Sequence, residues 1–158
     1  FSEKLIMFDN FVYRTKNLIG SDYGNTGRST HGALFTDQNN WDKIITWCQA
    51  NSAVGPNKIA LLMPLWDDDW TNLHPFAKVM IDTFGDNPDF LASITLSLDS
   101  YGWVGSIVEY YENEKRFYEV LSKHSNPNAS SYAEKQIENL KRAIEREKLE
   151  DEERFLGL

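Results

Sequence analysis

Two Asn-Pro dipeptides, Asn87-Pro88 and Asn126-Pro127, constrain the fold of this chain more than any other feature. Each stands between two stretches whose apolar residues recur at helical spacing, and Gly55-Pro56 marks a similar break upstream. Proline fits the first turn of a helix and clashes in its interior, so each break ends one helix and opens the next. The sequence therefore predicts an all-α fold of about three stacked antiparallel hairpins, a fragment of an α-solenoid.

The composition is that of a folded chain with an excess of acid. The 158 residues are 41% hydrophobic and 13% aromatic, and 24 acidic against 16 basic residues give a formal net charge of −8. This charge argues against non-specific binding to nucleic acid or to an anionic membrane, which requires a basic face, and it does not exclude a local basic patch. No apolar run approaches the roughly 20 residues that span a bilayer, and no secretory signal is recognised. We therefore expect neither a nucleic-acid nor a membrane partner.

The cysteine content indicates the redox compartment of the protein, and the first residues indicate whether the chain is part of a larger one. Cys48 is the single cysteine, which excludes an internal disulfide and favours a reducing compartment, so we expect a cytoplasmic protein. Cys48 itself lies on an apolar helical stripe and is interpreted as an inert core thiol. The opening Phe1-Ser2-Glu3-Lys4-Leu5 is unlike a natural start, and we favour a domain of a larger protein over a processed product or an engineered chain.

Residues 1–36 differ in composition from the remainder. Leu5, Phe8 and Val12 fit a helical stripe, with a short strand at residues 5–8 as the alternative. Residues 20–36 are crowded with glycine and small polar side chains, which predict a long loop of a kind that is often functional. We therefore divide the chain into an N-terminal helix and Gly/Ser-rich loop, 1–36, and a helical-repeat domain, 37–158. Whether residues 1–36 belong to the same fold stays open.

Capping residues, prolines and glycines set the expected helix bounds. The predicted helices run from Asp37 or Asn39 to about Asn51, from near Ile59 to Pro64, from Pro75 to Gly85, from Pro88 to about Leu98, from Ile107 to the break at Asn126, and from Ala129 to about Phe155. Beyond Ile144 the last helix is almost wholly charged. We interpret that end as the polar outer face of a terminal repeat, with a short coiled-coil contact as the alternative.

The turn after the second predicted helix is the best candidate for a binding site. It places three carboxylates between two indoles, and acidic side chains beside aromatic ones suit the recognition of a basic protein surface. The predicted partner-binding residues are Trp66, Asp67, Asp68, Asp69, Trp70 and, in the turn 100–106, Trp103. The alternative is that Trp66 and Trp70 both pack beneath the turn. The loop 20–36 is the other segment expected to make contact.

The same aspartates are the best metal candidates, because carboxylates bind hard cations. The alternating ligands and central glycine of a calcium loop are missing, so a solvated acidic loop is preferred. Residues 24–30 likewise lack the spacing and the lysine of a phosphate-binding loop. We expect no metal, no cofactor and no catalytic residue. An enzyme with its site at one of these places is a third hypothesis, which predicts that a metal or nucleotide raises the melting temperature.

Other titratable residues receive structural interpretations. His74 and His124 stand at predicted helix ends and are expected to act there rather than in catalysis. Glu109, Glu112 and Glu114 are interpreted as an ordinary solvated helix face, with an acidic groove as the alternative.

Three pieces of the stretch 41–155 carry a resemblance to a known family. They are Trp47-Cys48 with Ile59-Ala60 and Met63-Pro64; His74-Pro75-Phe76-Ala77 with Phe84-Gly85-Asp86; and Trp103-Val104-Gly105-Ser106, leading to a helix that ends at His124, with Tyr132-Ala133-Glu134. Together they resemble the HEAT-like helical region at the C-terminus of large bacterial proteins, which often carry an NTPase or sirtuin-like effector upstream and some of which act in anti-phage defence. The resemblance implies an interaction or sensing module, with any enzymatic activity elsewhere in a parent chain.

The sequence is therefore compatible with two binding functions. The preferred one is a non-catalytic protein-interaction or sensing module of a larger bacterial protein, whose partner presents a basic surface. The alternative is a free-standing acidic binding protein, such as an immunity protein or antitoxin that blocks a basic toxin. The alternative predicts that the 158 residues fold alone and bind one basic partner tightly.

Overall fold

The computed structural model describes residues 35–99 and 106–156, which all fall within one compact unit, His31–Leu158. The helices are α1 (Gln38–Ala50), α2 (Gly55–Ala60), α3 (Pro75–Phe84), α4 (Pro88–Asp99), α5 (Ile107–Leu121) and α6 (Pro127–Leu156). No strand occurs among the described residues, where Trp66 and Leu73 form an isolated bridge. The prediction of an all-α chain is confirmed for this part. The predicted N-terminal helix and residues 20–34 of the loop lie outside it.

Side chains in front of α1 and α3 cap these helices as the sequence predicts. The carboxylate of Asp37 accepts a hydrogen bond from the amide of Asn39 at 2.9 Å. Nδ1 of His74 accepts one from the amide of Phe76 at 3.1 Å. The first amides of a helix have no partner within it, so each cap satisfies a donor that would otherwise need water.

The second helix differs most from its predicted bounds. α2 begins at Gly55 rather than near Ile59, and it ends at Ala60 rather than at Pro64. The reason is Pro56, which lies in the first turn, where its fixed φ and missing amide proton suit a helix start. Gly55-Pro56 is therefore an opening signal as well as a break.

The two Asn-Pro corners have the same local structure. Oδ1 of Asn87 accepts hydrogen bonds from the amides of the second and third residues after it, at 2.9 and 3.4 Å. Oδ1 of Asn126 accepts the equivalent pair at 3.0 and 3.1 Å. In each corner the asparagine caps the helix whose first residue is the following proline. The repeated Asn-Pro dipeptide thus forms the same capped helix start at both positions.

The two corners also contact each other. Oδ1 of Asp86 accepts hydrogen bonds from the side-chain amides of Asn126 at 3.1 Å and Asn128 at 2.8 Å. Both bonds hold the pKa of Asp86 below its ordinary value. Beside it, a Cβ added to Gly85 would lie 2.9 Å from the amide nitrogen of Asn126 and 2.4 Å from the carbonyl oxygen of Ile81. The carbonyl of Ile81, with Asn126 close by, therefore leaves no room for a Cβ at this position.

The core is apolar and lies where these helices meet. α2 packs against α1, α3 and α4, and α5 packs against α6. Phe35, just before the boundary expected at residue 37, is buried and contacts Phe76 in a tilted arrangement with ring centroids 5.0 Å apart. Its carbonyl accepts a 2.7 Å hydrogen bond from the indole of Trp41. The largest fully buried side chains include Tyr118, Phe35, Phe76, Phe90, Phe117 and Met80.

The far end of α6 carries no buried residue after Ile144. Phe155 is 91% exposed, and Leu149 and Leu156 are exposed as well. Glu150 and Arg154, one helical turn apart, form an ion pair with 3.6 Å between their charged atoms. Among the described helices, none has a stretch both long and apolar enough to cross a membrane.

Candidate interaction surface

The segment between α2 and α3 is closed at its base by the backbone. The carbonyl of Leu65 accepts a 2.9 Å hydrogen bond from the amide of His74, and the carbonyl of Asn72 accepts one of 2.9 Å from Asp67. Trp66 and Leu73 form the bridge between these two bonds. We call residues 66–72 the acidic turn. Its shape is fixed by these bonds, which hold its tip away from the core.

Asp67 has a structural role within the acidic turn. One carboxylate oxygen accepts the amide of Thr71 at 2.9 Å, and the other accepts the side chains of Thr71 at 3.4 Å and Asn72 at 3.2 Å. The bond from the Thr71 amide is the main reason that the pKa of Asp67 lies below its ordinary value. Both oxygens are therefore occupied by the turn itself, and a direct contact of Asp67 with a partner stays a prediction.

The two tryptophans of the turn have different environments. Trp66 is half-buried, and its ring meets Phe117 of α5 edge-on, with centroids 5.6 Å apart. Trp70 is 63% exposed, and its centroid lies 6.5 Å from that of Trp66. The alternative that both indoles pack beneath the turn is therefore wrong for Trp70. One indole anchors the turn and the other is presented to solvent.

The backbone of Trp70 is in the left-handed region, with φ of 56°. Its amide donates a 3.1 Å hydrogen bond to the carbonyl of Asp67, which fixes this conformation. Residues other than glycine, asparagine and aspartate adopt positive φ rarely, because the side chain crowds the backbone. Among the described residues, Trp70 is the non-glycine residue with a positive φ. Its exposed indole is therefore held on a backbone conformation that tryptophan disfavours.

Asp68 and Asp69 complete the tip of the turn. Both are exposed, and neither forms an ion pair with a residue of the described ranges. Burial lowers the pKa of the nearby His74, and Asp68 and Asp67 oppose that effect. The tip therefore offers two uncompensated carboxylates beside one exposed indole.

The remaining predicted contacts fall almost wholly outside the described residues. Trp103 lies outside the described residues, as does the loop 20–36 except for Phe35 and Thr36. Across residues 35–99 and 106–156, no three His, Cys, Asp or Glu side chains are grouped so as to hold a metal ion. The structure thus brings together Trp66, Asp68 and Trp70 on one turn.

A polar seam between α4, α5 and α6 escaped the sequence analysis. The hydroxyl of Thr95 lies 2.6 Å from the phenol oxygens of both Tyr118 and Tyr132. Glu114 is half-buried, which differs from the solvated helix face expected for it, and this burial, with the charge of Asp99, raises its pKa to about 7. The available signal was its spacing, since Glu114 stands four residues from Tyr110 and from Tyr118 and so shares their helix face.

No protein-family model, curated protein sequence or solved structure matches this chain.

Proposed function

We propose that this chain is a non-catalytic protein-interaction or sensing module that binds a basic surface through the tip of the acidic turn. Trp70 supplies apolar contact area, and Asp68 and Asp69 supply charge. Aromatic side chains that become buried at the centre of an interface contribute much of its binding energy, and complementary charges around them favour the correct partner. The formal net charge of −8 adds a general attraction for a basic partner.

The observation that supports this function most directly is the exposure of Trp70 on a rigid turn. An indole that is 63% exposed does little for the core, and its φ of 56° is unfavourable for the backbone. The hydrogen bonds of Asp67 and the contact of Trp66 with Phe117 hold the turn in place without it. A rigid, pre-formed presentation lowers the entropy lost on binding.

We further propose the finer fold that the sequence suggests, a HEAT-like stack of hairpins from a larger bacterial protein. In such a stack, corresponding corners of successive hairpins lie side by side. The identical capping of Asn87 and Asn126 and the bonds from Asp86 across the two corners support this arrangement. A cytoplasmic location, a role in anti-phage defence and an effector elsewhere in a parent chain rest on the resemblance alone.

The test is site-specific photo-crosslinking in cells of the source organism. A photoreactive amino acid replaces Trp70 in one strain and Leu96, on α4 and 59% exposed, in a matched control strain. We expect one basic protein to be captured at position 70 and absent at position 96. Capture at both positions, or at neither, would contradict the proposal.

Affinity measurements with the captured partner then test the residues. We expect Trp70→Ala to weaken binding by roughly tenfold or more, as for a central interface aromatic. The double variant Asp68→Asn, Asp69→Asn should weaken binding mainly at low salt, because exposed charges are screened at high salt. Leu96→Ala is the control. Unchanged binding by Trp70→Ala would rule out the acidic turn as the contact.

The free-standing acidic binding protein remains the second candidate, since the net charge favours it equally. An immunoblot of source cells distinguishes the module of a larger protein from the free-standing binding protein. A band far above 18.3 kDa indicates a module of a larger protein, and a band at that mass indicates a small binding protein.

A further inference from the structure

Three of the described helices begin in the same way, and one of them uses a titratable side chain. α3, α4 and α6 each start at a proline, and the side chain before that proline accepts the amide of the residue two positions on. The acceptors are Nδ1 of His74 at 3.1 Å, Oδ1 of Asn87 at 2.9 Å and Oδ1 of Asn126 at 3.0 Å. An amide oxygen keeps its lone pairs at every pH, whereas an imidazole nitrogen loses its lone pair when it is protonated.

The cap of α3 requires a neutral His74. A ring nitrogen that accepts a hydrogen bond carries no proton, so the neutral ring carries its proton on Nε2. An imidazolium ring has a proton on both nitrogens, and its Nδ1–H would point at the amide proton of Phe76. The charge would also lie at the N-terminus of α3, where the helix dipole disfavours a cation. Protonation of His74 therefore removes this cap.

The surroundings of His74 also favour the neutral ring. The residue is half-buried, and burial is the main reason that its pKa lies below the ordinary value of 6.5. Asp68 and Asp67, both of the acidic turn, oppose that effect with their charges. Neither α2, which packs against α3, nor α3 itself adds a charged group to these causes. Burial and the cap thus act in the same direction.

His74 also closes the base of the acidic turn. Its backbone amide donates the 2.9 Å hydrogen bond to the carbonyl of Leu65. The bridge between Trp66 and Leu73 lies directly beside this bond along the chain. One residue therefore holds the base of the turn with its backbone and the start of α3 with its side chain. Loss of the cap removes a restraint where the turn meets the helix.

We propose that His74 is a proton-controlled cap that couples the acidic turn to pH. With a neutral ring, the start of α3 and the base of the turn are both held. With a protonated ring, the cap is lost and the base of the turn is held less tightly. A basic partner should then bind the turn more weakly in acid, a consequence that rests on the proposed function.

The direction of the effect follows from proton linkage. Between the lowered pKa of His74 and its ordinary value of 6.5, the folded state binds fewer protons at this group than the unfolded state does. The stability that His74 contributes is therefore present above pH 6.5 and is lost as pH falls through the lowered pKa. Solvent screening reduces the effect because the ring is only half-buried.

NMR on the full chain tests the cap without any substitution. At pH 7.5 the ¹⁵N signals of the His74 ring should show Nδ1 without a proton, and the ring should titrate below 6.5. The amides of Phe76 and of Asp67, which is bonded across the turn, should shift with the same midpoint. The amide of Asp89, held by the oxygen of Asn87, is the matched internal control and should not follow that midpoint.

Two variants separate the proton from the cap. His74→Asn supplies the non-titrating acceptor that the chain uses in its other two corners, and His74→Ala removes the acceptor. At pH 7.5 the unfolding equilibrium constant of His74→Ala should exceed that of the wild type by roughly fivefold, as for a lost N-cap. Most of that difference should be lost by pH 5, whereas His74→Asn should keep its advantage over His74→Ala at both pH values. His124 is common to all three chains and cancels in these ratios.

The outcomes that would overturn the proposal are specific. They are a His74 ring that titrates at or above 6.5, a proton on Nδ1 at pH 7.5, and a ratio of His74→Ala to wild type that is the same at pH 7.5 and pH 5. An Asp67 amide that ignores the His74 midpoint would overturn the coupling to the turn. These measurements use the chain alone, so a failure of the proposed contact would not change them. Partner binding that weakens equally in wild type and His74→Asn at pH 5 would overturn the regulation of binding by His74.

Discussion

The side-chain amide of Asn128 donates a 2.8 Å hydrogen bond to the carboxylate of Asp86, 42 residues earlier in the chain. With the 3.1 Å bond from Asn126, it joins the corner in front of α4 to the corner in front of α6. Because these bonds lower the pKa of Asp86, the stability they contribute is present above the ordinary value of 3.8 and is lost as pH falls through the lowered one.

We therefore expect Asp86→Ala to lower the melting temperature at pH 7 and to have a much smaller effect near pH 2. Calorimetry at the two pH values measures this difference. Asp42→Ala, a change at an exposed position of α1, is the matched control. An equal loss at both pH values would mean that the ionised carboxylate does not join the corners.

The backbone beside Asp86 predicts that Gly85 does not tolerate a side chain. The methyl group of Gly85→Ala would lie 2.4 Å from the carbonyl oxygen of Ile81, so the backbone must shift. We expect a loss of about 1–3 kcal/mol in the free energy of unfolding, typical of overpacking. Urea denaturation measures it, with Lys78→Ala on the exposed face of α3 as the control. A stabilised Gly85→Ala variant would show that the backbone at Ile81 leaves room for the methyl group.

The hydroxyl of Thr95 serves two phenols at once. Thr95→Val keeps the shape of the side chain but leaves Tyr118 and Tyr132 without this partner, and Tyr118 is fully buried. An unsatisfied buried polar group costs about 1–3 kcal/mol, so we expect a destabilisation of that order. Thr95→Ser retains the hydroxyl and should lose less.

A double-mutant cycle checks that the effect comes through the phenols. Thr95→Val combined with Tyr118→Phe should cost less than the sum of the single changes, because the orphaned hydroxyl is then removed. Strict additivity of the two substitutions would contradict a shared hydrogen bond.

Cys48 is predicted to be unreactive in the folded chain. The side chain is fully buried in α1, and burial raises the pKa of its thiol to about 12. Thiolate, the reactive form, is therefore scarce at pH 8. We expect a thiol reagent such as Ellman's reagent to react only when the chain opens, and to react completely in denaturant. Rapid labelling of the native chain would contradict the burial of Cys48.

The helices were predictable because their signals are local. Asp37, His74 and Pro88 stand where capping and proline chemistry place a helix start. The contact between the corners was not predictable, since Asp86 and Asn128 meet only when distant segments pack. The sequence also predicted the acidic turn. It did not distinguish the anchored Trp66 from the exposed Trp70, because both are tryptophans of the same turn.

Glu114 was misjudged for a related reason. A glutamate among other charged residues is usually solvated, but this one is half-buried on the helix row whose Tyr110 and Tyr118 form hydrogen bonds to α4. Helical spacing places Glu114 on the row of Tyr110 and Tyr118, but spacing alone does not tell which row faces a neighbour.

The left-handed backbone of Trp70 has a consequence for how this position would change under selection. Glycine or asparagine accepts a φ of 56° with less strain, and an exposed indole removes little area from water. A library of variants screened only for folding should therefore enrich glycine or asparagine at position 70 while it retains Trp66. A library screened for partner binding should keep the tryptophan. The two outcomes would separate what the fold requires at this turn from what recognition requires.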